Sequence, residues 1–311
     1  MSYSAKVTRT GLYTGHKGSV YTIGASLDQD KFITAGSDGI IAEWSFDDRI
    51  EGIPLAQVNN IVYSMFVDLD SKLLVIGQAA GGLHIIDLVQ KKEMRLLQYH
   101  ESPIFNITTH NDYQWIISLG GNGKIVITSL KDFSLIREVE VGGGKLRSIV
   151  INDSGDTAIV GTADGTIHFF KLPDWRQIKI IQAHQEGFSV NSLKYNLDET
   201  LLYSGSRDAH LNIYDVKDEF KKINSIPAHN YAIYSIVSSP DGTQIATASR
   251  DKTIKIWDAN DMTLQMRIEL GKTEGHKNSV NTLYWHPNGK LISGSDDRSI
   301  MAWDIKDEVA S

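Results

Sequence analysis

A hydroxyl, an imidazole and a carboxylate are the parts of a nucleophilic triad, and Thr247, His229 and Asp251 supply all three within one short stretch. The same types recur as Thr34, His16 and Asp38, as Ser204, His184 and Asp208, and as Ser293, His276 and Asp297. An aromatic residue closes each set: Trp257, Trp44, Tyr214 or Trp303. An active site occurs once in a chain, whereas this set is repeated, and an indole can only donate a hydrogen bond. The sets are therefore structural, and no catalytic residue is assigned. The run Gly142-Gly143-Gly144-Lys145-Leu146 is not a phosphate loop, because Leu146 stands where the metal-binding Ser or Thr belongs and no helical pattern follows. No two histidines stand at i, i+4, and none has zinc-site spacing to a carboxylate, so neither a metal nor a cofactor is expected. The chain has no cysteine, which removes disulfides and thiolate ligands.

The elements that must position these residues are short strands. Residues 228–258 read as three of them, joined by tight turns. Residues 232–237 are rich in β-branched and aromatic side chains, which suit a pleated, largely buried surface. Pro240-Asp241-Gly242 then breaks the run with type I turn chemistry. Residues 244–248 form the second strand, Arg250-Asp251-Lys252 the second turn, and residues 253–257 the third strand. Such a meander cannot bury both faces alone, so it implies copies. Third-strand anchors recur at Trp44, Ile86, Thr128, Phe170, Tyr214, Trp257 and Trp303, with a period of roughly 43 residues. Six positions before each anchor stands a turn residue: Asp38, Ala80, Asn122, Asp164, Asp208, Asp251 or Asp297. A histidine opens five of the repeats, as His16, His100, His184, His229 and His276.

At these residues the sequence resembles the WD-repeat (WD40) β-propeller family, and the resemblance covers essentially the whole chain. It implies an all-β, seven-bladed propeller of four-stranded antiparallel blades, forming one domain over residues 1–311. It also implies a hydrogen-bonded tetrad of His, Ser/Thr, Asp and Trp in each complete repeat. The strand-like segment 6–13 is expected to supply the outer strand of the last blade and so close the ring, leaving no free sheet edge there. The second and fourth repeats lack the opening histidine, and both carry an apolar residue, Ile76 and Val160, where the others place a hydroxyl. A buried hydroxyl without its histidine would cost about 1–3 kcal/mol, so the two losses go together. The third repeat keeps His100, Ser118 and Asn122 but has Thr128 in place of the indole.

In this family, the residue just past the leading apolar position of each first strand lines the channel mouth. Those residues are Tyr21, Tyr63, Phe105, Arg147, Asn191, Tyr234 and Asn281. The residue before each turn aspartate faces the same way, which adds Arg207, Arg250 and Asp296. Four aromatics and three arginines are thus expected on one rim. These types are enriched at binding hot spots, and Arg also suits bidentate capture of carboxylate or phosphate. The plainer alternative is that the aromatics plug a tapering channel and the arginines are solvated. The net charge of −7 argues against a broad nucleic-acid surface, and the 41 % apolar content suffices for cores between blades. Residues 1–10 hold no apolar leader and no stretch has the length of a membrane span, so a cytoplasmic protein is expected. The resulting expectation is a non-catalytic scaffold that binds partner proteins or peptide segments at the channel mouth, likewise within a multi-protein complex. A propeller hydrolase or lactonase would need unpaired acidic or histidine residues at the mouth, where only Asp296 is acidic. A subunit of a nucleic-acid-associated complex would need a basic groove beyond the three arginines.

Overall fold

Four strands lie side by side in each of seven separate sheets, and every strand pairs antiparallel with its neighbour. The structure is a computed structural model and describes residues 4–47 and 51–308; residues 1–3, part of the N-terminal stretch read above, lie outside the described residues. Blade 1 runs through Val20–Ala25, Lys31–Gly36, Ile40–Ser45 and Ile53–Gln57, and blades 2 to 6 follow in the same order. Blade 7 is composite. Val280–Trp285, Leu291–Ser295 and Ser299–Glu308 are its inner three strands, and Ser4–Thr14 pairs with the last of them as its outer strand. The closure is antiparallel, from Ser4 opposite Glu308 to Thr14 opposite Ser299, with a bulge between Arg9 and Gly11.

Local chemistry sets the strand lengths. In blade 6, Asp241 Oδ1 accepts from the Ser239 hydroxyl (2.6 Å) and the Thr243 amide (3.1 Å), while Gly242 takes φ +73°. That geometry turns the chain into the second strand, Gln244–Ser249, which is buried throughout. Neighbouring blades cover both of its faces, so it carries no alternation of polar and apolar residues. Fourth strands such as Lys92–Leu97 are mostly exposed and read as polar.

The core lies between blades. One apolar cluster joins each neighbouring pair, for example Ile159, Phe169 and Tyr214 between blades 4 and 5. Another, with Tyr13, Phe32, Trp44 and Ile300, joins blade 7 to blade 1. Contact is tight where glycine meets a β-branched side chain. A Cβ on Gly205 would stand 2.6 Å from Ile233 Cγ2 of the next blade, and one on Gly294 would stand 2.7 Å from Val20 Cγ1 across the closure. No helix among the described residues is long and apolar enough to cross a membrane.

Candidate functional site

The recurring His, hydroxyl, Asp and Trp sets are assembled as chains of hydrogen bonds. In blade 6 the Trp257 indole N–H donates to Thr247 Oγ1 at 2.9 Å, Thr247 meets His229 Nε2 at 2.8 Å, and His229 Nδ1 meets Asp251 at 2.9 Å. A neutral imidazole with its proton on Nδ1 satisfies every link, because Nε2 is then free to accept from the threonine. Burial pulls the His229 pKa down and favours that neutral form. Burial would raise the Asp251 carboxyl, but the hydrogen bonds from His229, Thr253 and the Asn230 amide hold it far below the usual range. The same chain links Trp44, Thr34, His16 and Asp38, and again Trp303, Ser293, His276 and Asp297. In blade 5, His184 joins Ser204 (2.7 Å) and Asp208 (3.0 Å), whereas the Tyr214 hydroxyl donates to the Ala183 carbonyl at 3.2 Å. These side chains face inward, tie loop to strands, and leave the hydroxyls 0 % exposed.

Sequence reasoning missed what the second and fourth blades do instead. Each carries a buried histidine on its third strand, two residues before the anchor: His84 and His168. His168 meets Thr166 Oγ1 (2.9 Å) and Gln177 Oε1 (3.1 Å), and His84 Nδ1 meets Glu93 at 2.6 Å. A Cβ on Gly142, which stands where the opening histidine would be, would lie 3.9 Å from His168 Cε1. The relocated ring thus fills the vacated space. The signal was present in the sequence, since no other repeat has histidine at that position. Blade 3 makes a different compromise. His100 bonds Ser118 at 2.8 Å, but its Nδ1 and the Thr128 hydroxyl find no partner among the described residues, and burial lowers the His100 pKa to about 4.

The seven residues expected at the channel mouth do line one cavity, of about 460 Å³, together with Asp296. Each is the second residue of a first strand, so the ring geometry brings them together. Small polar side chains stitch these strands: Ser64 Oγ donates to the Ile104 carbonyl (2.9 Å) and Ser148 Oγ to the Val190 carbonyl (3.0 Å). The mouth is uneven. Tyr21, Tyr63 and Phe105 form an arc, with ring centroids 5.3 Å and then 5.4 Å apart. The Arg147 guanidinium continues the arc, 4.3 Å above the Phe105 ring. Burial lowers its pKa, yet a guanidinium remains charged. On the other side Asn191 donates to the Ile233 carbonyl (2.9 Å), and Asn281 to the Val20 carbonyl (3.1 Å) and Asp296 (2.8 Å). Tyr234 completes the ring.

Arg207 and Arg250 do not join this cavity, which corrects the expected single rim of three arginines. They sit on the turns between second and third strands, farther from the axis than any first strand, and both are exposed. Arg207 lies 5.9 Å from the Phe188 ring and Arg250 6.0 Å from the Tyr231 ring.

Comparison with known proteins agrees with this architecture. The family model described as WD domain, G-beta repeat matches residues 6–45, 175–215, 220–258 and 268–304. Nuclear distribution protein nudF of Emericella nidulans is 27 % identical over 57 % of this chain and 44 % of its own length. WD repeat-containing protein 1 of Gallus gallus is 23 % identical over 98 % of this chain and 58 % of its own. The chain thus spans roughly half the length of these curated relatives. The crystal structure of the WD40 β-propeller domain of Doa1 superimposes with a TM-score of 0.82 at 20 % identity, covering 97 % of both chains. The family model covers half of the chain, and the chain belongs to the WD40 repeat family.

Proposed function

We propose that this propeller is a non-catalytic scaffold whose channel mouth binds a segment of a partner protein. The observation that carries the reading is the arc of Tyr21, Tyr63 and Phe105, half-buried rings in mutual contact around an open cavity. Aromatic side chains presented on a rigid frame lose little entropy on binding and dominate interface energetics. The frame here is rigid because the first strands are cross-bonded beneath the rings. A catalytic reading fits the mouth less well: Asp296, the one carboxylate lining it among the described residues, already accepts from Asn281.

The test is site-specific photo-crosslinking in cells, with the crosslinker placed at Tyr63 or at exposed Leu197 on the opposite face. Partner chains should be captured from position 63. For a captured partner, Tyr63→Ala should then weaken binding by about 1–2 kcal/mol, the scale of an interface aromatic. Capture from position 197 alone, with Tyr63→Ala binding unchanged, would overturn the assignment.

A further inference from the structure

The structure separates the three arginines but gives them one common state. Arg147, Arg207 and Arg250 stand on blades 4, 5 and 6, each over an aromatic ring: Phe105, Phe188 and Tyr231. None of the three guanidiniums has a hydrogen-bond or ion-pair partner among the described residues. Several arginines elsewhere are paired: Arg9 with Glu274, Arg267 with Glu269, and Arg137 with the Asp174 carbonyl; exposed Arg298, on the corresponding turn of blade 7, lacks a partner among the described residues but also lacks a ring beneath it. The aspartates next in sequence, Asp208 and Asp251, do not neutralise the rim forks by contact, because both are bonded inward to His184 and His229. Lys145 and Lys252 stand on turns of the same sector.

The opposite face is unlike this. Its hairpins between first and second strands carry Asp70, Asp112, Asp153, Asp198, Glu199 and Asp241. The exposed forks of Arg207 and Arg250 thus stand on the mouth side, where Asp164 and Glu186 also lie, so the cationic character is local to the forks in a chain of net charge −7.

We propose that the face over blades 4 to 6 binds an extended acidic peptide segment of a partner protein, with one carboxylate taken by Arg147 inside the mouth and others by Arg207 and Arg250 on the rim. The proposal rests on the mouth being the partner-binding site and names the chemistry of what enters it. A single planar fork matches a single carboxylate bidentately. Phosphate groups and nucleic acids favour several cations converging on one point or a continuous basic track, and here the forks stand on separate blades. Stacking at 4.3 Å on Phe105 has already restricted the Arg147 guanidinium, so little order remains to be imposed on it by binding. The aromatic arc beside Arg147 gives the same segment an apolar contact.

A random peptide library displayed on phage, selected against the full chain, tests this. Recovered sequences should be enriched in Asp and Glu. A selected peptide should bind about tenfold more weakly to Arg147→Gln, and more weakly still when Arg207→Gln and Arg250→Gln are added. The acidic peptide's affinity should fall with added salt for the parent chain and fall less for the triple variant. Oligothymidylate and inorganic phosphate should not displace it. Selection of sequences without acidic enrichment, failure to select any, unchanged affinity in the Arg147→Gln chain, or displacement by oligothymidylate would each overturn the proposal. Tyr63→Ala separates this from the broader reading. If acid-free peptides are recovered and Tyr63→Ala abolishes their binding, the mouth remains the site and only the anionic specificity falls. If acidic peptides bind Tyr63→Ala and Arg147→Gln as well as the parent, the mouth itself is not the site.

Discussion

His229 is legible as a structural residue because every one of its neighbours in the chain of bonds has a defined donor or acceptor role. Removing one member strands the next. Asp251→Ala leaves the buried Nδ1–H of His229 without its acceptor and should lower unfolding free energy by about 1–3 kcal/mol in chemical denaturation. A variant that unfolds at the parent's denaturant midpoint would count against the tetrad as a stabiliser. His100 gives the same logic a pH dependence. Burial lowers its folded pKa from the ordinary 6.5 to about 4, so between those values the unfolded chain binds a proton that the folded chain does not. Stability from this residue is full above about pH 6.5 and is lost as pH falls toward 4, a term on the order of 3 kcal/mol. Asn122→Asp supplies the missing carboxylate, as in the complete repeats, and should flatten the acid limb. Denaturant midpoints of the two chains from pH 7 to pH 4 would show it, and parallel curves would refute it.

At the scale of the element, the second strand is where sequence and packing are most tightly coupled. In blades 2, 4, 5 and 7 a second-strand glycine abuts the leading β-branched residue of the following blade, so at those four junctions the close approach depends on the absence of a side chain. Gly205→Ala places a methyl 2.6 Å from Ile233 Cγ2. Such overpacking should cost about 1–3 kcal/mol, readable as a lower thermal midpoint. The third strands of blades 2 and 4 show the converse freedom. Where the opening histidine is missing, an imidazole on the third strand, His84 or His168, occupies the interior, and the second strand turns apolar at Ile76 and Val160. The interior of a blade is thus filled, but not by one particular residue.

At the scale of the molecule, stability depends on closure, because each apolar cluster needs a neighbour on both sides. Deleting residues 1–14 removes Tyr13 from the core between blades 7 and 1 and bares the edge of the strand Ser299–Glu308. The shortened chain should melt well below the parent and associate through that edge, seen by calorimetry and sedimentation; a monomer melting within a degree or two would refute closure. The period of the anchors, the turn aspartates and the leading strand 6–13 made the ring and its closure readable from the sequence, because each repeat folds under the same local rules and stacks only on its neighbours. The mouth residues were readable through the family resemblance, which implies that this position of each first strand lines the channel mouth; the period then located it in every repeat. Tertiary structure alone decided the rest. Whether Arg147 lies in the cavity while Arg207 and Arg250 lie outside it depends on distance from the channel axis. That the relocated His168 fills the space beside Gly142, and that Tyr214 turns to the Ala183 carbonyl, depends on which interior groups are left in need of a partner. Spacing along a chain carries the order of the blades; radial position and hydrogen-bond satisfaction exist only once the ring has closed.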